Sequence, residues 1–434
     1  INLLTSEPVW DQNALERVKD IYRMFELNTR KNLELVTHDE VTHAVFGDRR
    51  LMDPSREELA ALTLDGVVAA VEAQLRAGPL EVNIAGDLDP EEVDALITRY
   101  LGTATPGGAS PASSSPPAGS KLQLYPLTLA NVDPRDAATR TQRLWLRDSD
   151  ERACAVLAGP GPRMWAPMRN PPLPKLDDET MDALMNGDSS NGTGIAQLTL
   201  RGPDGRPYHP ADQINAAAAA KGNPFAAQSD RRRNPLATFV AGMLLSEVVG
   251  GRLFTTVRDA LGLTYDCNFQ LAFGLQNSDA TTYRLVVTPT PAKIDDALAA
   301  AIRVLRGFKT QKISTREVER ARMTLLTRHE TELKTNAYWV DLMQYTSLGD
   351  VLAPQKEISC ISDLPAMYEA ATVDDLYEVY GALGLEDGET FTCVTVAGKE
   401  DPAIVNAGAA APPVVGELAA AAAARMAMSG GMAI

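Results

Sequence analysis

A mixed α+β fold, in which helices cover a sheet, is the class this chain of 434 residues predicts, and three observations carry the prediction. Segments with helical periodicity and clear caps are interspersed with short apolar strand runs, which excludes an all-helical or all-strand class. The block from about residue 11 to 102 reads in the order helix, helix, strand, helix. An internal echo completes the case. Thr63-Leu64-Asp65-Gly66-Val67 leads to Ala85-Gly86 and Asp89-Pro90, while Thr372-Val373-Asp374-Asp375-Leu376 leads to Ala397-Gly398 and Asp401-Pro402, with spacings that differ by only three residues. The first block then reads as the closing part of a domain that the chain presents whole further on, its opening part lying upstream of Ile1. The alternative is two unrelated αβ endings that both use a Thr cap and an Asp-Pro turn.

The elements follow in order. Asn13 to Leu33 is helical, with Val18, Ile21, Tyr22, Met24 and Phe25 toward one side. Ser55-Arg56-Glu57-Glu58 is a capping box, and Thr63 caps the next helix, which Gly78-Pro79 breaks. Leu80 to Ala85 alternates like a strand, and Asp89-Pro90 opens a further helix. Residues 104–120 are Pro/Gly/Ser-rich and read as a flexible linker between a first unit, 1–103, and a second, 121–403. Beyond it come Leu122 to Leu129, Gln142 to Leu146, the apolar strand Ala153 to Ala158, and a hairpin around Pro203-Asp204-Gly205. Leu236 to Val249 is an apolar helix, and a second short helix is expected just past Gly250-Gly251. Leu263 to Phe273 and Thr282 to Thr288 form a strand pair, and Pro291 to Phe308 is an amphipathic helix. Ser314-Thr315-Arg316-Glu317 is a second capping box. Helices over Tyr338–Tyr345, Pro365–Ala371 and Val373–Leu383 precede the closing strand Phe391–Ala397, and residues 404–434 read as an Ala/Gly-rich disordered tail.

Composition limits the function. The chain is 45% apolar and 23% charged, as suits a soluble globular protein of two or more domains. A net charge of −16 argues against nucleic acid as a partner and favours basic ligands or plain solubility. No apolar run approaches the roughly 18 to 20 residues that span a bilayer, so no membrane partner is expected. Cys154, Cys267, Cys360 and Cys393 have no paired spacing and read as buried thiols in a reducing compartment.

Most chemical motifs are missing from the sequence. His38 and His43, five residues apart, fall roughly 140° apart on a helix and read as incidental residues of a solvated helix. His329-Glu330 has no second histidine after it, and His209 sits in a turn, so no zinc site is encoded. No Gly-x-Ser-x-Gly elbow occurs, Gly250-Gly251 reads as a helix terminus, and Arg231-Arg232-Arg233 reads as a solvated basic loop. The informative pair is Arg258 and Tyr265. If the short helix ends at Gly262 in a left-handed cap, the chain reverses and the guanidinium and phenol converge, a donor pair suited to a carbonyl oxygen.

The run Gly251-Arg252-Leu253-Phe254-x-x-Val257-Arg258-x-x-x-Gly262-Leu263-x-Tyr265 resembles a segment from the C-terminal half of the pitrilysin-type, inverzincin zinc metallopeptidases. The two Ala-Gly-x-x-Asp-Pro endings resemble domain closings of the same family. Lys334 to Trp339 and Ile358 to Thr372 are similar to its chloroplast stromal, precursor-processing branch. The resemblance implies pitrilysin-like αβ domains with a mostly antiparallel sheet, one partial and one complete, making half of a clamshell. It implies zinc held by His-x-x-Glu-His on an N-terminal half outside this chain, and a substrate-binding role here in cleaving transit peptides from imported precursors in the chloroplast stroma. Arg258 and Tyr265 take over the contacts to the substrate carbonyl and the oxyanion. The expected partners are basic precursor or transit peptides and the N-terminal catalytic half, and the chain alone is expected to be inactive. A non-catalytic scaffold or peptide-binding subunit is the alternative, and an unrelated αβ binding module a third.

Overall fold

The computed structural model describes residues 9–46, 54–77, 82–102, 140–163, 165–168, 200–201, 207–208, 214–272, 281–347, 358–385 and 390–399. The expected linker, the run Leu122–Leu129, His209 and the tail lie outside them.

In the first block the local signals work. The Asp11 carboxylate accepts from Asn13 N at the start of α1 (Gln12–Thr29), and α2 (Leu33–Phe46) follows a short turn. α3 (Arg56–Ala61) opens on the Ser55–Glu58 capping box. The Thr63 hydroxyl accepts from Gly66 N at α4 (Leu64–Ala77), and Asp89 caps α5 (Pro90–Tyr100). The strand expected at Leu80–Ala85 is not formed over its described part, since 82–85 join no sheet. Alternation makes a strand only beside a partner edge. The apolar side of α1 is likewise uncovered: Val18, Ile21, Tyr22 and Met24 are exposed, while Lys19 is buried and donates to the Leu62 carbonyl at 2.8 Å.

The main sheet is built by β1 (Thr141–Arg147), β2 (Arg152–Pro160) and strands from the end of the chain. A small ladder, β3 (Leu200–Arg201) with β4 (Pro207–Tyr208), flanks the expected hairpin turn. Then come α6 (Ala216–Ala220), α7 (Gln228–Arg233), α8 (Ala237–Leu253), β5 (Cys267–Ala272), β6 (Thr282–Val287) and α9 (Ile294–Arg306). The chain continues through α10 (Thr315–Glu332), α11 (Asn336–Ser347), α12 (Leu364–Ala370), α13 (Val373–Gly381) and β7 (Phe391–Gly398). The strand order is β1-β7-β2-β6-β5; β1 runs parallel to β7 and the other pairs are antiparallel, as expected.

β2 has no polar face, because both of its faces are covered. On one side Ala155, Leu157, Leu285 and Val287 share a core with Leu244, Leu245 and Val248 of α8. On the other, Leu33 and Val41 of α2 pack on Cys154, Val156, Ala158, Cys393 and Ala397. A helix of the first block therefore closes the core of the second. Thr37 Oγ1 meets Thr395 Oγ1 at 2.7 Å, and Arg284 reaches Thr42 Oγ1 at 2.9 Å and His38 Nδ1 at 3.3 Å. The expectation of a solvated helix for His38 is thus corrected: burial, and then Arg284, pushes its pKa down to about 3. Burial also pushes the Cys154, Cys267 and Cys393 thiols up to about 12, which leaves them unreactive.

Two further expectations are corrected. Arg231 and Arg232 are not solvated but buried, with their Nε atoms 2.7 and 3.1 Å from the two carboxylate oxygens of Asp375 on α13. Nor does α8 stop at Gly250-Gly251, since it continues to Leu253 and then into a π-helical turn, Phe254–Ala260. Ala237–Ala260 is long and apolar enough to cross a membrane by length and composition, yet 67% of its apolar window is buried as the central helix of this core. That burial offsets the cost of about 1 kcal/mol per glycine in a helix. The two halves also share a pattern: α1 and α10 are each 18 residues long, and each leads through a short turn into a second helix.

Candidate functional site

The stretch from α8 to β5 has an inner and an outer side. Leu253 and Val257 are fully buried and anchor it, while Phe254, Arg258 and Leu261 are exposed. Within the turn the Leu261 amide bonds to Thr256 O at 3.0 Å, an i to i+5 bond of π type. Gly262 then takes a left-handed φ of +58°, where any side chain is strained, and its amide closes on the Arg258 carbonyl at 3.0 Å. Lys293 Nζ holds the Gly262 carbonyl at 2.8 Å. The expected glycine stop is therefore present.

Beyond it the chain differs from expectation. Tyr265 lies in the loop before β5 rather than on the strand, and it is 88% exposed. The Arg258 guanidinium lies 4.6 Å from the centre of the Phe254 ring, and among the described residues no hydrogen bond joins it to Tyr265. Arg258 and Tyr265 thus share one exposed stretch with no hydrogen bond between them among the described residues. Phe254 (44% exposed), Leu261 (52%) and Tyr265 are three of the five large apolar side chains exposed among the described residues of 140–399, so apolar exposure concentrates at this turn. Asp259 and Asp266 are exposed beside them.

The turn is held from behind by Arg252, which faces away from it. Arg252 grips Glu317 through Nε at 2.6 Å and Nη2 at 3.0 Å, donates to the Gln311 and Lys312 carbonyls at 2.8 Å each, and lies 4.2 Å over the Phe308 ring. This fork ties the end of α8 to the start of α10. The Arg252 bonds, aided by the Ser314 cap, hold the Glu317 carboxyl down at about 2 against partial burial. A depressed folded pKa means that the stabilisation is complete above the ordinary glutamate value and is lost as pH falls through the folded one. In urea melts, wild type should exceed Glu317→Gln in stability at neutral pH, and the gap should close as pH drops from about 5 toward 2. A gap independent of pH would refute the ion pair.

The described residues do not fit a zinc ion. His38 is occupied by Arg284, His329 is buried edge-on to Tyr338, and no group of three or more metal-binding side chains assembles among the described residues. Glu332, beside His329, is pushed up to about 7 by desolvation; it lines a small cleft with Arg328, Tyr368 and Met243.

A five-stranded, mostly antiparallel sheet with helices on both faces defines the class: the fold is that of pitrilysin-type M16 peptidase domains. Residues 201–325 match the model described as Peptidase M16 inactive domain. Among solved structures, the M16 inactive domain from Pseudomonas fluorescens aligns with a TM-score of 0.55 at 14% identity, over 92% of this chain and 73% of that one. The periplasmic protease PqqL from Escherichia coli aligns at 0.54 and 13% identity, over 89% of this chain and 33% of that one. Through residues 201–325 the chain is similar to the inactive-type domain of the M16 peptidases. More particularly, it is 34% identical over 401 residues to the chloroplastic stromal processing peptidase of Arabidopsis thaliana, a match covering 92% of this chain and 29% of the relative. The chain therefore spans under a third of the length of the curated relative.

Proposed function

We propose that this chain is the substrate-holding C-terminal part of a stromal endopeptidase that removes transit peptides from imported precursors. One observation supports it above the others: a permanent cation and a phenol stand exposed on a single rigidly capped turn, with Arg252 bracing it from behind. Arg258 and Tyr265 donate to backbone carbonyl oxygens of an extended peptide, Arg through its planar fork and Tyr through its hydroxyl. Asp259, Asp266 and the net charge of −16 favour peptides rich in Arg and poor in acids, the composition of transit peptides. Zinc and its ligands belong to an N-terminal partner half, and no step of the metal chemistry is assigned to residues of this chain.

The second reading, a non-catalytic peptide-binding subunit, is favoured by the description of the matched domain as inactive. Mixing this chain with the upstream half of the same protein separates the two. The proposal expects no cleavage of a precursor by the chain alone, cleavage on mixing, and tighter binding of an Arg-rich peptide than of the same peptide with Glu at each Arg. Peptide binding with no cleavage in the mixture favours the subunit reading, and equal affinity for the two peptides refutes the basic-substrate assignment.

A further inference from the structure

We infer that Phe254 is the positioning residue for Arg258, a role that rests on the reading of Arg258 as a substrate contact. A surface arginine ordinarily samples many rotamers, and a carbonyl donor is effective only if its fork is held before the peptide arrives. The backbone provides the means. In an α-helix residues four apart are offset by about 40° around the axis. From Phe254 to Ala260 the helix is wound as a π-turn, and residues four apart remain neighbours on one side of it. Arg258 is four residues after Phe254, and its Cζ lies 4.6 Å from the ring centre.

Nothing else among the described residues competes for that guanidinium. Arg258 makes no ion pair with a described residue although Asp259 is adjacent, whereas Arg252, six residues earlier, is saturated by Glu317 and two carbonyls. The ring restrains the guanidinium through its π-face while leaving the N–H edges unspent, which a carboxylate partner would not do. Phe254 itself is half-exposed, with Leu253 and Val257 holding the fold on the other side.

The test reads the stack first and its use second. In the full chain, the Arg258 Nε–H resonance should carry an upfield ring-current shift that Phe254→Leu abolishes and Phe254→Tyr keeps. Affinity for a fluorescent peptide of Arg, Ser and Ala without acidic residues should fall about two- to fivefold in Phe254→Leu, the range expected of an exposed cation–π contact, and return in Phe254→Tyr. In an Arg258→Ala background the same Phe254→Leu change should do nothing further. An unchanged Arg258 resonance in Phe254→Leu overturns the positioning alone. An Arg258→Ala chain with undiminished peptide affinity overturns the substrate role of Arg258 and the positioning with it, and a Phe254 effect that persists without Arg258 shows the ring acting on its own.

Discussion

Replacing Asp375 with Asn should destabilise the protein by roughly 3 to 5 kcal/mol, the typical cost of breaking a buried ion pair from one side. Asp375 is buried, and each of its carboxylate oxygens meets a different buried guanidinium, Arg231 at 2.7 Å and Arg232 at 3.1 Å. It also accepts from Thr372 N at 3.0 Å as the third residue of the α13 capping box. Asn keeps the shape and part of the cap, so the loss isolates the charge, and two cations are then left in the interior without their common anion. The consequence is not local. Arg231 also donates to the Phe225 and Ala226 carbonyls, so the pair joins the loop before α7 to α13, which packs against α8. Equilibrium urea unfolding measures it, and a change under about 1 kcal/mol would show that water reaches the pair.

This triad marks what the sequence leaves illegible. Three consecutive arginines look solvated, because their one buried counter-charge lies more than a hundred residues away and nothing local announces it. Several devices whose two halves are neighbours in the chain were readable: the Ser55–Glu58 and Ser314–Glu317 boxes, the Asp89 cap and the Gly262 stop stand where expected. Failures follow the opposite rule. Gly250-Gly251 reads as a helix end from propensity, yet α8 runs through it because Leu244, Leu245, Val248, Val249 and Leu253 are all buried around it. His38 reads as solvated because its own helix shows no preference, whereas the sheet that α2 covers is formed far along the chain. In the candidate site the glycine stop was legible. The i to i+4 spacing of Phe254 and Arg258 was also visible, but the π-turn that carries the pair has no local sign in the sequence.

In an enzyme reconstituted with the upstream half, Arg258→Ala and Tyr265→Phe should each lower kcat by about 10²- to 10³-fold, the usual cost of removing one donor from a developing oxyanion. Both side chains are exposed, so neither change should move stability by more than about 0.5 kcal/mol, and the activity loss cannot be attributed to unfolding. Tyr265→Phe removes a single hydroxyl that has no internal partner among the described residues, which makes it the sharper of the two. Arg258→Lys keeps the charge but loses the planar fork, and it should recover only part of the loss. If the two donors serve one oxygen, the double substitution should cost much less than the product of the single losses, because removing either already spoils the arrangement. If they serve successive carbonyls of an extended peptide, the losses should multiply, and KM rather than kcat should carry much of the Tyr265 effect. The two outcomes therefore distinguish a shared oxygen from successive carbonyls. Cleavage within about threefold of wild type in both single variants would remove this turn from the active site altogether.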